Sequence, residues 1–140
     1  MVPSLGTYHY RVLYADTDLA GVVYHGHYLR FFEAARTQLM CDAGLAPADV
    51  QAAEQIVFAV TEVGVNYHQP ARYGDVLRIE VEPTKVGPAR FTLAYRVYRP
   101  EADEPCVTGW TTICALRLDT QRVARLPAAM RAWCEAALAP

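Results

Sequence analysis

The sequence lacks long apolar runs, paired cysteines and an N-terminal leader pattern. No apolar stretch approaches the ~18 residues of a membrane-spanning helix, and Met1–Gly6 has no charged-then-apolar run of the kind that marks a secretory signal. The four cysteines are far apart and have no C-x-x-C spacing, namely Cys41, Cys106, Cys114 and Cys134. We therefore expect four reduced thiols in a cytoplasmic protein, with a zinc site or a disulfide framework as the less favoured alternatives.

The sequence also lacks a large excess of charge of either sign. The net charge is −2 over 140 residues, so nothing in the balance indicates nucleic-acid binding. Residues 1–70 carry 3 basic against 7 acidic side chains, whereas residues 71–140 carry 10 against 8. The second half is therefore the more plausible source of cations for a phosphate-bearing ligand. At this length the whole chain, 1–140, is expected to form one domain.

The first half combines a strand, a turn and a long apolar helix. Alternation predicts a strand over Thr7–Ala15, and turn-forming residues follow from Asp16 to Gly21. A helix is predicted from about Tyr24 to Ala43, with Gly44 closing it. Its apolar stripe contains Tyr28, Phe31, Phe32, Ala35, Leu39 and Ala43. A helix with so few charges is expected to lie against a broad sheet.

The second half reads as a series of strands separated by short turns. Leu45–Gln55 is interpreted as a connecting region that contains Pro47. Strands are predicted over Ile56–His68, Val76–Val86, Arg90–Arg99 and Val107–Leu118, and a short helix over Ala128–Leu138. This order predicts an α+β fold in which one antiparallel sheet wraps around one long central helix. Such a sheet leaves an edge strand exposed, so at least a homodimer is expected.

The most informative segment holds Asp18, then Gly21, then a helix start near Tyr24 or His25. This order can set a carboxylate beside the unpaired N–H groups of a helix N-terminus, which are the two parts needed to hydrolyse an acyl thioester. Asp18 could attack the carbonyl or activate a water, and the sequence leaves both open. The plainer interpretation is an Asp that terminates a strand and accepts turn hydrogen bonds.

The neighbouring residues have several possible roles. Asp16 is interpreted as a turn residue or as a supporting partner of Asp18. Because the two carboxylates are close in sequence, one could also raise the pKa of the other. His25 could act through its ring, contribute only its N–H, or cap the helix. His27 is expected at the surface, and because it lies two positions from His25 the two rings should point apart, so no metal is predicted. Gly21 could supply a special backbone angle or make room for an acyl group.

The motif Asp-x-Asp-x-x-Gly-Val-Val-Tyr-His-x-x-Tyr over Asp16–Tyr28, followed by Phe32-Glu33-x-x-Arg36, resembles the hotdog-fold acyl-CoA thioesterases. The branch it is most similar to is the 4-hydroxybenzoyl-CoA thioesterase group, including the acyl-CoA thioesterases encoded beside the Tol–Pal envelope genes. Weaker similarities follow in the same order, at Val63–Asp75 and over Val107–Pro127. The resemblance covers roughly Tyr8 to Pro127.

The resemblance implies an acyl-CoA thioesterase that needs no cofactor and takes the coenzyme A ester as its substrate. Within it Asp18 is the catalytic carboxylate, and the oxyanion contact is the N–H of His25 with Tyr24 beside it. Active sites in the family form between two subunits, and tetramers built from two dimers are common. One departure is the segment Pro88-Ala89-Arg90, where many relatives have a Ser.

For the phosphates of coenzyme A, four basic residues of the second half are candidates, namely Lys85, Arg90, Arg122 and Arg125. The alternative is that they form a solvated sheet surface. Two other functions are open. The fold could hydrate or dehydrate an acyl thioester, although the His paired with Glu or Asp of those relatives is not seen. It could also be a non-catalytic acyl-CoA-binding module, which would not need Asp18.

Overall fold

The computed structural model describes residues 4–138, so residues 1–3 and 139–140 of the predicted 1–140 domain lie outside it. Within it the sheet consists of β1 Gly6–Arg11, β2 Ile56–Tyr67, β3 Val76–Val86, β4 Arg90–Tyr98 and β5 Val107–Arg117. The helices are α1 His27–Asp42, α2 Pro47–Glu54 and α3 Ala128–Ala136. All strand pairs are antiparallel, in the order β1-β3-β4-β5-β2. The predicted α+β architecture is confirmed.

The long helix α1 is held at the middle of the sheet by its apolar stripe. The stripe residues from Tyr28 to Leu39 are buried as predicted, while Ala43 at its end is exposed. Phe32 stacks on Tyr95 of β4 with ring centroids 4.3 Å apart. A Cβ at Gly109 of β5 would come within 2.5 Å of the Phe32 ring. The glycine therefore lets the helix approach the sheet closely.

Helix α1 begins three residues later than predicted because the preceding residues form other hydrogen bonds. Val23 N–H donates to the carbonyl oxygen of Ala71, and Tyr24 N–H donates to that of Asp16. The predicted end is confirmed. Gly44 has a φ of +75°, its N–H donates to Cys41, and Leu45 N–H donates to Met40 at 2.7 Å. These bonds close the helix as a Schellman motif.

The segment interpreted as a connection contains helix α2, so that prediction is wrong for Pro47–Glu54. Pro47 occupies the first turn, where its missing N–H costs nothing, and alanines favour the helical backbone. Only Val50 is buried. The helix therefore has no apolar stripe, which is the signal that periodicity detects.

The predicted strands β2 to β5 agree with the structure to within one residue at each end, and β3 matches at both ends. The first strand is shorter than predicted and ends at Arg11. Val12 N–H donates to the carbonyl of Asp75, and Tyr14–Asp16 then form a 3-10 turn. The sheet edges are β1 and β2, and Val60 and Val63 on β2 are exposed apolar residues. Among the described residues no helix is both long and apolar enough to cross a membrane.

Candidate active site

Asp16 anchors the loop that carries the candidate site. The residue is only 2% exposed, and its Oδ2 accepts hydrogen bonds from the Tyr10 hydroxyl at 2.7 Å and the Leu13 N–H at 2.8 Å. Burial, and then the bond to this carboxylate, raise the pKa of Tyr10 to about 12. The side chain of Asp16 is thus occupied by the fold, in agreement with its interpretation as a supporting turn residue.

Asp18 lies two residues further on, in a tight exposed turn. Its N–H donates to Val22 at 2.9 Å, and Gly21 N–H donates to its carbonyl at 3.0 Å. One carboxylate oxygen, Oδ1, accepts from Ala20 N–H at 2.8 Å, while Oδ2 has no hydrogen bond within residues 4–138. Gly21 has a φ of +76°, a backbone angle that favours glycine. The turn therefore orients the carboxylate and leaves one oxygen available.

The start of α1 supplies N–H groups beside this carboxylate. The Tyr24 N–H is taken by Asp16, so it is not a free donor. In the described part of the chain the N–H groups of His25 and Gly26 donate no hydrogen bond, and no side chain caps the helix. The first turn has no acidic residue that would offset the positive end of the helix dipole. His25 and Gly26 are therefore the available donors for an anion.

A pocket of about 310 Å³ joins Asp18 to His25 and is called the catalytic pocket below. Its other walls are formed by Tyr28, Tyr67, His68 and Pro70, together with three further residues, Val22, Val23 and Gln69. The Tyr28 hydroxyl accepts from Ala71 N–H at 3.1 Å and so ties the helix to the loop after β2. Largely apolar walls that include Asp18 and His25, with Gly26 the next residue after His25, form a site suited to a polarisable carbonyl.

The aromatic rings around the helix start form a cluster beside this pocket. The Tyr24 ring lies against His25 with centroids 4.3 Å apart and meets the His27 ring edge-on at 5.8 Å. Tyr24 itself does not line the catalytic pocket. Gly21, which had been considered as a way to admit an acyl group, does not line it either. His27 is partly exposed, and the described residues contain no cluster of three His, Cys, Asp or Glu able to hold a metal ion.

Tyr67, His68 and Gln69 are site residues that sequence reasoning missed. They end β2 and follow it, and in the sequence they belong to a strand pattern within the weaker similarity at Val63–Asp75, which assigns none of them a role. The hydroxyl of Tyr67 donates to the His25 carbonyl at 2.8 Å across 42 residues of chain. A strand and a turn distant in sequence therefore meet only in the tertiary structure.

The four basic residues considered for phosphate binding lie at the opposite end of the sheet. Arg90 pairs with Cys114 near the end of β5, whereas Tyr67 pairs with Val107 at its start. Seven residues of strand separate the two, roughly 23 Å at about 3.3 Å per residue. Lys85, Arg122 and Arg125 are exposed near the same far end. The fold of one chain therefore does not bring these cations to the catalytic pocket.

An antiparallel sheet around a central helix, with a carboxylate at the helix N-terminus, defines the hotdog-fold thioester hydrolases as the class of this enzyme. The family model of the Thioesterase-like superfamily matches residues 12–134, and the chain belongs to that superfamily. The resemblance of the Asp16–Tyr28 motif to hotdog thioesterases is thereby confirmed at the level of the family.

Individual relatives carry thioesterase names. The 1,4-dihydroxy-2-naphthoyl-CoA hydrolase of Thermosynechococcus vestitus is 29% identical over 133 residues, 95% of this chain and 90% of the relative. The acyl-CoA thioester hydrolase YbgC of Escherichia coli O6:H1 is 36% identical over 91 residues, 65% of this chain and 67% of the relative. The structure of a DHNA-CoA thioesterase from Staphylococcus aureus superposes with a TM-score of 0.83 at 29% identity, covering 93% of this chain and 86% of that one.

Proposed function

We propose that the protein is an acyl-CoA thioesterase that hydrolyses an acyl-CoA thioester to a free acid and coenzyme A. The observation that supports this most directly is the catalytic pocket, which has Asp18 and the helix start at His25 on shared walls. The three relatives described above are named for hydrolysis of a coenzyme A thioester. Coenzyme A enters as part of the substrate, and the reaction as proposed uses no cofactor and no metal.

The proposed chemistry begins with the thioester carbonyl in the catalytic pocket. Its oxygen accepts from the free N–H of His25, with Gly26 as the adjacent donor, and the positive end of α1 stabilises the charge that develops there. In other enzymes the loss of one such donor lowers kcat by about 10²–10³-fold. Once the oxygen nucleophile has added to the carbonyl carbon, the C–S bond breaks and the thiolate of coenzyme A leaves. It takes a proton from solvent or, where Asp18 acts as the base, the proton that Asp18 accepted from the attacking water.

Asp18 supplies the oxygen nucleophile in one of two ways. Its free Oδ2 attacks the carbonyl carbon to give a mixed anhydride that water hydrolyses, or it accepts a proton from the water that attacks. Either path needs an ionised and accessible carboxylate, and Asp18 is exposed. The ring of His25 and the aromatic side chain of Tyr24 have positioning roles in this proposal, and Gly21 shapes the Asp18 turn.

The remote position of the candidate cations supports a functional oligomer. The catalytic pocket of the same subunit lies at the far end of the sheet from these cations. If they hold the phosphates of coenzyme A, they therefore serve the pocket of another subunit. The residues are Lys85, Arg90, Arg122 and Arg125. We propose a homodimer of single-domain chains, with a homotetramer built from two dimers as the expected larger assembly. The exposed apolar residues of edge strand β2 are the surface that favours pairing.

The first test measures free-thiol release from acetyl-, hexanoyl-, palmitoyl-, benzoyl- and hydroxybenzoyl-CoA. Asp18→Asn keeps the shape of the side chain and removes its charge, so turnover should fall by about 10³-fold or more while the protein stays folded. Asp103→Asn, at another exposed aspartate, is the matched control and should keep full activity.

Two further measurements, enoyl-CoA hydration and acyl-CoA binding, distinguish the two alternative functions. Unchanged turnover in Asp18→Asn would remove Asp18 from the mechanism. Hydration of an enoyl-CoA without thiol release would indicate a hydratase or dehydratase. Tight acyl-CoA binding with neither reaction would indicate a binding module.

A further inference from the structure

The hydroxyl of Tyr67 is the only group in the described part of the chain that donates to the carbonyl oxygen of His25. Tyr67 is the last residue of β2, and its side chain is 51% exposed at the wall of the catalytic pocket. The bond is 2.8 Å long, a good distance for a hydroxyl donor. It connects the edge strand of the sheet to the peptide unit just before the central helix.

This bond restricts the orientation of the candidate oxyanion donors. The peptide unit between His25 and Gly26 is planar, so holding the His25 carbonyl oxygen also fixes the direction of the Gly26 N–H. On the other side, the Tyr24 N–H is held by the carbonyl of Asp16 at 2.9 Å. The His25 N–H therefore lies in a short segment fastened at both ends, by Asp16 and by Tyr67.

The same bond changes the electrostatics of the pocket wall. A His25 carbonyl oxygen without a partner would leave its partial negative charge uncompensated at the start of α1, where the oxyanion is proposed to form. The Tyr67 hydroxyl donates to that oxygen. By polarising the peptide unit between His25 and Gly26, it makes the Gly26 N–H a better donor. Because the hydroxyl acts on the peptide and not on the substrate, its effect should be the same for every acyl group.

We propose that Tyr67 is a positioning residue of the oxyanion site, acting through its hydrogen bond to the His25 carbonyl. This proposal rests on the proposed function. It assigns a role in catalysis to the end of β2, which the sequence pattern alone marks only as a strand.

The test compares Tyr67→Phe with the wild-type full-length chain. Removing the hydroxyl should lower kcat by about tenfold, or about 1.4 kcal/mol of barrier, by the same factor for every acyl-CoA that the wild type hydrolyses. KM should stay within about twofold, and the pH profile should be unchanged. Tyr73→Phe is the matched control and should leave kcat unchanged, because Tyr73 is exposed and its hydroxyl makes no hydrogen bond within residues 4–138.

A second measurement does not depend on activity. In ¹⁵N-labelled protein, Tyr67→Phe should shift the amide resonances of His25 and Gly26, whereas Tyr73→Phe should leave them in place. Unshifted resonances, or an unchanged kcat in an enzyme whose turnover depends on Asp18, would overturn the role of Tyr67 alone.

Three further outcomes would also contradict the proposal. A factor that varies with the acyl group, or a rise in KM alone, would make Tyr67 a substrate contact. A loss that matches a smaller folded fraction would make its role structural. Absence of thiol release from the wild type would overturn the proposed function and, with it, this role.

Discussion

Asp16 and Asp18 are two residues apart and have opposite environments. Asp16 is buried and accepts two hydrogen bonds from the fold, whereas Asp18 is exposed and one of its carboxylate oxygens accepts none within residues 4–138. The difference arises because the 3-10 turn over Tyr14–Asp16 directs the first side chain inward, towards Tyr10. One carboxylate thus holds the loop in place, and the other is available for chemistry.

Two weak acids, the buried Cys134 and the half-buried Tyr10, predict a loss of stability at high pH. Burial raises the pKa of the Cys134 thiol from 9.0 to about 12, and burial with the Asp16 bond raises the pKa of Tyr10 from 10.0 to about 12. In both cases the folded state favours the protonated form. Stability from these groups is therefore complete below about pH 9 and is lost as the pH rises through 12.

The measurement is the free energy of unfolding in urea at pH 8, 10 and 11.5. It should decrease across this range in the wild type and decrease less steeply in Cys134→Ala, which lacks the thiol. An equal slope in both proteins would contradict the assignment to Cys134.

At the level of elements, the ends of helix α1 are defined by different interactions. Its start is held by bonds to other segments, from Tyr24 to Asp16 and from Tyr67 to His25, and within residues 4–138 no side chain caps it. Its end is local, since the N–H groups of Gly44 and Leu45 donate to carbonyls of the last turn. The end that carries the proposed chemistry is the one that the rest of the fold determines.

Gly44→Ala tests the local end. The φ of +75° is strained for any residue with a Cβ. No atom of another described residue lies within 4 Å of the position where that Cβ would be, so the cost is conformational. We expect the free energy of unfolding to fall by about 1–2 kcal/mol. Chemical denaturation measures it, with thiol release expected to persist because the catalytic pocket is at the other end of α1.

Gly87→Ala is the control for this prediction. A Cβ at Gly87 meets the Arg90 carbonyl at 3.5 Å, an ordinary contact, and its φ is not in the left-handed region. An equal loss of stability in the two variants would show that strain at Gly44 is not the cause.

At the scale of the whole molecule, the sheet has an unpaired edge at β2 and keeps its candidate cations far from the catalytic pocket. Pairing of two chains at this edge would cover Val60 and Val63. Because the chains would pair antiparallel about a two-fold axis, the far end of one sheet would approach the pocket end of the other. This would bring cations and pocket together without any change of fold.

Val63→Lys tests that assembly. A charge on the exposed apolar edge should weaken pairing, so sedimentation should show a shift from dimer or tetramer towards monomer at the same protein concentration. The KM for the coenzyme A ester should rise with dissociation if the partner supplies the phosphate contacts. Val76→Lys, at an exposed position on β3, should not change the oligomeric state; equal dissociation in both variants would argue against the β2 edge.

The sequence by itself determined the periodic elements and the family. The apolar stripe of α1, the limits of β3 and the closing Gly44 are all set by neighbours within about four residues, which is why patterns of period 2 and 3.6 predict them. The Asp16–Tyr28 motif identified the thioesterase class for the same reason, since its parts are contiguous. Helix α2 was not predicted, because a helix with one buried residue has no apolar stripe for periodicity to detect.

Only the tertiary structure decided which groups meet. The sheet register brings Tyr67 to the carbonyl of His25 and separates Arg90 from the catalytic pocket. The loop closure occupies the Tyr24 N–H, while the N–H groups of His25 and Gly26 have no acceptor in the described part of the chain. These contacts join residues far apart in the chain, and their geometry depends on how the sheet, helix and loops pack together. Local sequence patterns therefore do not predict that packing.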